Sequence, residues 1–148
     1  MSELEELYRQ LILDHAHHPV GAGLAPDAAA ESHQLNPTCG DELTVRVHVH
    51  DGTVESISWS GHGCAISQAS ASLLAQLVRE QPGMSVAELR ERIEAFRTAM
   101  RSRGQLAPDE ELLGDAAALG GVSRYTARVK CAMLAWVAAE EALARLPG

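Results

Sequence analysis

Between positions 42 and 80 the chain keeps one period and then changes to another. Leu43, Val45, Val47 and Val49 alternate with Glu42, Thr44, Arg46, His48 and His50. That period of two puts apolar side chains on one face of a strand. Asp51-Gly52 is a hairpin signal, and residues 54–60 supply the returning strand, with Ile57 and Trp59 on one side. After Gly61-His62-Gly63 the spacing becomes helical, from about Cys64 to Arg79, and Pro82-Gly83 ends it. A hairpin with one apolar face must be covered, so helices packed on a small antiparallel sheet are the architecture to expect.

The flanking segments extend that expectation. Ser2-Glu3-Leu4-Glu5 has the form of a capping box, and Leu4, Leu7, Leu11 and Ile12 mark one apolar helical face. That helix should stop near His15 to His18, because Pro19 follows. A third strand is placed over residues 31–35. Ser85-Val86-Ala87-Glu88 is a second capping box, opening a helix whose buried stripe is Leu89, Ile93, Phe96 and Met100. Pro108-Asp109-Glu110-Glu111 starts a short helix ending at Gly120-Gly121, and the last helix runs from about Arg124 to Arg145. The fold class is therefore α+β, a three-stranded antiparallel sheet against about five helices, in one domain over residues 1–148.

Charge and hydropathy narrow the function classes. Twelve basic residues stand against 20 acidic ones, a net charge of −8, which argues against a nucleic-acid surface. A hydrophobic content of 46% excludes a disordered chain. No apolar run approaches the ~20 residues of a membrane span, and no secretory leader is visible. The expectation is a soluble, cytoplasmic protein with no membrane partner.

Three cysteines, an odd number, do not suggest a disulfide framework in such a chain. The intervals are 24 residues from Cys39 to Cys64 and 66 from Cys64 to Cys131, neither a short zinc-ribbon spacing. Cys39 lies in the turn Asn36-Pro37-Thr38-Cys39-Gly40-Asp41 just ahead of the strand. Cys64 opens a helix, whose positive N-terminal end favours a thiolate acting as ligand or nucleophile. Cys131 lies among Ala132, Met133 and Leu134, where a core thiol is the plain reading. Asp41 could close its own turn or give a metal one hard oxygen beside soft sulfurs. His15, His17 and His18 suit a helix C-terminus as they stand.

The blocks "LYRQLILDH", "NPTCGDEL", "GHGCAISQASASLL" and "LGDAAALGGVSRYTARVKCAMLAW" together resemble the SufU family, relatives of the IscU iron–sulfur scaffolds. The likeness runs from Leu7 to about Trp136, with three separate cysteine blocks agreeing in order and flanks. It implies the SufU/IscU α+β fold, with the cysteines converging at one end of the sheet. It also implies a Zn²⁺ site on Cys39, Asp41, Cys64 and Cys131. Lys130 stands where IscU-type scaffolds place a ligating histidine, and a protonated lysine is a poor ligand. The resemblance thus turns the fourth position over to Asp41. Thr126 stands where a proline is usual.

Functionally, the resemblance implies an iron–sulfur cluster assembly protein that accepts persulfide sulfur on Cys39 from a SufS-type, pyridoxal-phosphate (PLP) cysteine desulfurase. It would pass that sulfur to a downstream iron–sulfur scaffold, as a sulfurtransferase and co-substrate. Arg128, at i−3 from Cys131, could steady the anionic centre. The alternative is an IscU-type scaffold assembling a [2Fe–2S] cluster on the same residues. A cysteine hydrolase using Cys39 lacks a convincing base and orienter.

Overall fold

The structure is a computed structural model that describes residues 3–37 and 40–147. Its order is α1 (Glu3–His17), β1 (Ala30–Asn36), β2 (Asp41–His50), β3 (Thr53–His62), α2 (Ala65–Glu80), α3 (Val86–Arg101), α4 (Glu110–Leu113), a 3-10 segment (Gly114–Arg124) and α5 (Thr126–Ala144). The strands form one antiparallel sheet in the order β1-β2-β3. The expected helix-then-sheet-then-helices order and the third strand are both present. The capping box proposed at Ser2 lies outside the described residues.

Leu43, Val45 and Val47 are fully buried, and they fix which face of β2 meets the core. The returning strand obeys the same rule only because of an irregularity. Val54 and Ile57 are three residues apart, so a regular strand would point them to opposite faces. The pairing shifts there: His48 faces Ser56 and Val49 faces Val54, which leaves Glu55 as an extra residue. This bulge lets Val54, Ile57 and Trp59 all enter the core. At the outer edge of β3, residues 20–23 cover the strand. Trp59 N–H donates to Gly21 O and Gly23 N–H donates to Trp59 O.

The helix closing the core is α5, which packs on β1, β2, α2 and α3. It has almost no polar side along its middle, as a helix enclosed by other elements requires. Ala132, Ala135, Ala138, Ala139 and Ala142 are buried and let the neighbouring backbones come close. Trp136 stacks on Phe96 of α3 with ring centroids 4.0 Å apart and planes 9° from parallel. Its indole N–H donates to Ser70 Oγ (2.8 Å), and Ser70 in turn donates to Ala132 O (2.6 Å). The Ser85 capping box of α3 forms as expected, with Glu88 N–H donating to Ser85 Oγ and Ser85 N–H to the Glu88 carboxylate. Its apolar stripe is buried as read.

Two expectations need correction. The stretch opened by Pro108 makes only one turn of α-helix, capped by Asp109, before tightening into the 3-10 segment through Arg124. Its Gly-Asp-Ala-Ala-Ala-Leu-Gly-Gly run has small side chains that tolerate the eclipsed packing of a 3-10 turn. On α1, Leu4 and Leu7 are 56% and 63% exposed while Ile12 packs against the core, so only the later part of the apolar face read from the spacing meets the core. The residue that α1 does bury is His15. Its Nδ1 lies 2.6 Å from Ser72 Oγ of α2, and that oxygen accepts the Val20 N–H at 2.7 Å. Burial holds the imidazole below its usual range, against the opposing pull of Asp115, Asp14 and Glu80. The imidazole and the Ser72 hydroxyl thus share one buried hydrogen bond that ties α1 to α2.

Candidate metal centre

Three elements deliver the site. Asp41 is the first residue of β2, Cys64 is the N-cap of α2, and Cys131 lies in the second turn of α5. Their ligand atoms all fall within 4.8 Å of one another. Among the described residues this is the group of cysteine, histidine and carboxylate side chains able to hold an ion. Cys39, expected to join them, lies outside the described residues. The His15–His18 cluster stands apart, with His15 engaged by Ser72 and His17 and His18 exposed.

Register explains how Asp41 arrives. Asn36 pairs with Asp41 and Glu42 pairs with His62, so the β1–β2 turn and the end of β3 share one end of the sheet. The two glycines flanking His62 permit a close approach there. A Cβ on Gly61 would lie 2.1 Å from Glu42 O, and Gly61 has φ +147°. A Cβ on Gly63 would lie 2.9 Å from Asp41 Cγ. The Asp41 carboxylate, 4% exposed, occupies the space that Gly63 leaves open.

The first turn of α2 then holds that carboxylate. Cys64 N–H donates to Oδ1 at 3.1 Å, and the fully buried Ser67 hydroxyl donates to Oδ2. This is a carboxylate at a helix N-terminus, where unpaired backbone donors and the dipole favour an anion. Asp41 thus makes contacts with a helix more than twenty residues away in sequence. Cys64 is exposed and Cys131 is buried, so the group is open to solvent on its Cys64 side. Ser67 escaped sequence reading. Its position three residues after Cys64, at N3 of α2, was the available signal.

Lys130 is exposed beside Cys131, as is Arg128. Arg128 borders a groove of about 940 Å³ between α1, the start of α2, the 3-10 segment and the start of α5. Ala65 and Ile66, which follow Cys64, also line it, so the groove adjoins the centre. Its floor includes Leu4, Ile12 and Val122, and Arg9 and Arg124 stand on it with Arg128. This is where the exposed Leu4 of α1 belongs.

The donor set suits zinc. Two thiols and a carboxylate are ordinary zinc ligands, and bonds of ~2.0–2.3 Å bring such atoms to separations near those observed. No described helix is long and apolar enough to cross a membrane.

Comparison with known proteins agrees in sequence and in shape. The chain is 36% identical over 147 residues to the zinc-dependent sulfurtransferase SufU of Bacillus subtilis, covering 99% of this chain and 96% of that one. It is 36% identical over 146 residues to the iron–sulfur cluster assembly scaffold protein IscU of Streptococcus pyogenes, covering 98% and 87%. The crystal structure of FiSufU from Fervidobacterium islandicum superposes with a TM-score of 0.73 at 29% identity, covering 97% and 96%. The three-stranded antiparallel sheet with five helices is thus the SufU/IscU-like fold. The NifU-like N terminal domain family matches residues 7–132, and with that match the chain belongs to this family of iron–sulfur cluster assembly proteins, on its SufU-like side.

Proposed function

We propose that this protein binds zinc through Cys39, Asp41, Cys64 and Cys131 and accepts sulfur on Cys39 from a SufS-type cysteine desulfurase. The observation that carries the reading is the convergence of Asp41, Cys64 and Cys131 with Lys130 turned to solvent. Where a histidine ligand would stand there is a cation, and a buried carboxylate supplies the missing donor instead. The full-length likeness to a zinc-dependent sulfurtransferase supports the same reading. Zinc, when bound, supplies a redox-inert centre that holds thiolates as thiolates at neutral pH.

The chain's own residues do the rest. The Cys39 thiolate attacks the outer sulfur of the desulfurase persulfide. The S–S bond of that persulfide breaks, a new S–S bond forms on Cys39, and the electron pair leaves on the desulfurase sulfur. No external oxidant or reductant is needed. Arg128, exposed on the groove beside the centre, offers positive charge to the anionic sulfur as it arrives. A downstream scaffold then takes the sulfur.

The IscU-named relative keeps a second reading in view, a [2Fe–2S] scaffold on the same residues. Metal analysis of protein purified without added zinc separates the two. About one tightly held zinc per chain, and no visible-absorbing cluster after anaerobic reconstitution, is the expected result. A stable cluster would overturn it. Cys39→Ser should abolish stimulation of the desulfurase while far-UV circular dichroism stays unchanged. Full stimulation by that variant would remove Cys39 as acceptor.

A further inference from the structure

Helix α2 buries three serines toward three different partners. Ser70 donates to Ala132 O of α5, and Ser72 meets His15 of α1. Both tie helix to helix. Ser67 does something else. It is fully buried, and its hydroxyl is turned to β2, where it donates to Asp41 Oδ2. The same oxygen lies 3.6 Å from Cys64 Sγ. One side chain therefore touches two of the three described ligand-bearing residues.

A serine has a single proton. With that proton on Asp41, the contact to Cys64 leaves Ser67 Oγ as the acceptor of the thiol hydrogen. Asp41 Oδ1 accepts from Cys64 N–H and Oδ2 accepts from Ser67 O–H. The carboxylate is held in one rotamer before any ion arrives. Hydrogen-bond partners of this kind orient metal-binding groups and typically contribute about 10–100-fold in metal affinity.

We propose that Ser67 is a positioning residue of the metal centre, its hydroxyl fixing Asp41 in the orientation that binds the ion. This rests on Asp41 being a ligand, as proposed above. Its effect should therefore appear in metal binding.

The test is a double-mutant cycle read by zinc affinity in competition with a chelator, with the far-UV spectrum and melting of each apo-protein recorded alongside. Ser67→Ala should weaken zinc about 10–100-fold. In an Asp41→Ala background the same change should cost no more than about threefold, because the partner is already gone. Ser67→Thr keeps the hydroxyl and should restore affinity. With Co²⁺ in place of zinc, Ser67→Ala should shift the visible ligand-field bands, which a loss of helix packing alone would not do. Should the alanine variant not fold, Ser67→Gly also lacks the hydroxyl and is read in the same way. Unchanged affinity in Ser67→Ala, or equal losses in both backgrounds, would overturn the proposal while leaving Asp41 as a ligand. Full zinc affinity in Asp41→Ala would overturn the ligand assignment, and the role of Ser67 with it.

Discussion

Gly63→Ala tests how the carboxylate is seated, because one methyl group would enter the space Asp41 occupies. The added Cβ would lie 2.9 Å from Asp41 Cγ, 3.0 Å from Oδ1 and 3.1 Å from Ser67 Cβ. The nearest contact is about 0.5 Å short of the 3.4 Å where ordinary van der Waals contact begins, on the steep side of the potential. The backbone cannot easily yield, since Asp41 is paired with Asn36 and its neighbour Glu42 with His62. The carboxylate must give way instead, and a shift of that size stretches the 3.1 Å bond from Cys64 N–H beyond useful length. A hydrogen bond to a charged group contributes about 1.5–3 kcal/mol, or roughly 10–100-fold in an affinity that depends on it. The same lost bond leaves a nearly buried carboxylate short of a donor in the apo-protein as well, so apo-protein stability should fall by about 1–3 kcal/mol. Zinc competition against a chelator, with a thermal melt of the apo-protein, measures both quantities. Wild-type affinity with wild-type stability would refute the argument that the Gly63 gap seats Asp41.

Other changes address the fold. Phe96→Ala removes one ring of the Phe96–Trp136 stack from a fully buried site and should cost about 3–5 kcal/mol in a urea melt. A loss below ~1 kcal/mol would mean that the stack is not central to the core. His15→Asn should flatten the acid side of the stability profile. The folded-state imidazole titrates below its unfolded value of about 6.5. Wild-type stability from this group is therefore intact above that pH and declines as pH falls through it toward the folded value. Equal slopes for wild type and variant between pH 6.5 and the lower folded value would dismiss His15 as the source.

The fold was largely legible because its signals are local. The alternation from Glu42 to His50, the Asp51-Gly52 turn and the Ser85–Glu88 box each act within a few residues. Cys64 was also read correctly as opening a helix, which placed it at a positive end. Less legible was anything that depends on what lies opposite. The Leu4 and Leu7 spacing records an apolar stripe but not whether a neighbour covers it, and here it borders open grooves. The bulge at Glu55 left a trace, since Val54 and Ile57 cannot share a regular strand face, and only the pairing register explains it. Ser67 reaches Asp41 across the β2–β3 hairpin, and no periodicity encodes such a contact. The ligand set came from family resemblance. Spacing alone left Asp41 in its turn and Cys131 in the core.

The three described residues of the proposed centre enter from the start of the sheet, the middle of the chain and its last helix, at positions 41, 64 and 131. An ion held among them is a cross-link closing a long loop, and the loop cannot close until α5 has docked on β2 and α2. During synthesis the first two ligands emerge well before the third, so a growing chain cannot complete the centre. Metal capture thereby reports finished folding. A loaded molecule whose last helix opened transiently would lose its grip on the ion at the same moment, which would couple release of the metal to the docking of that helix.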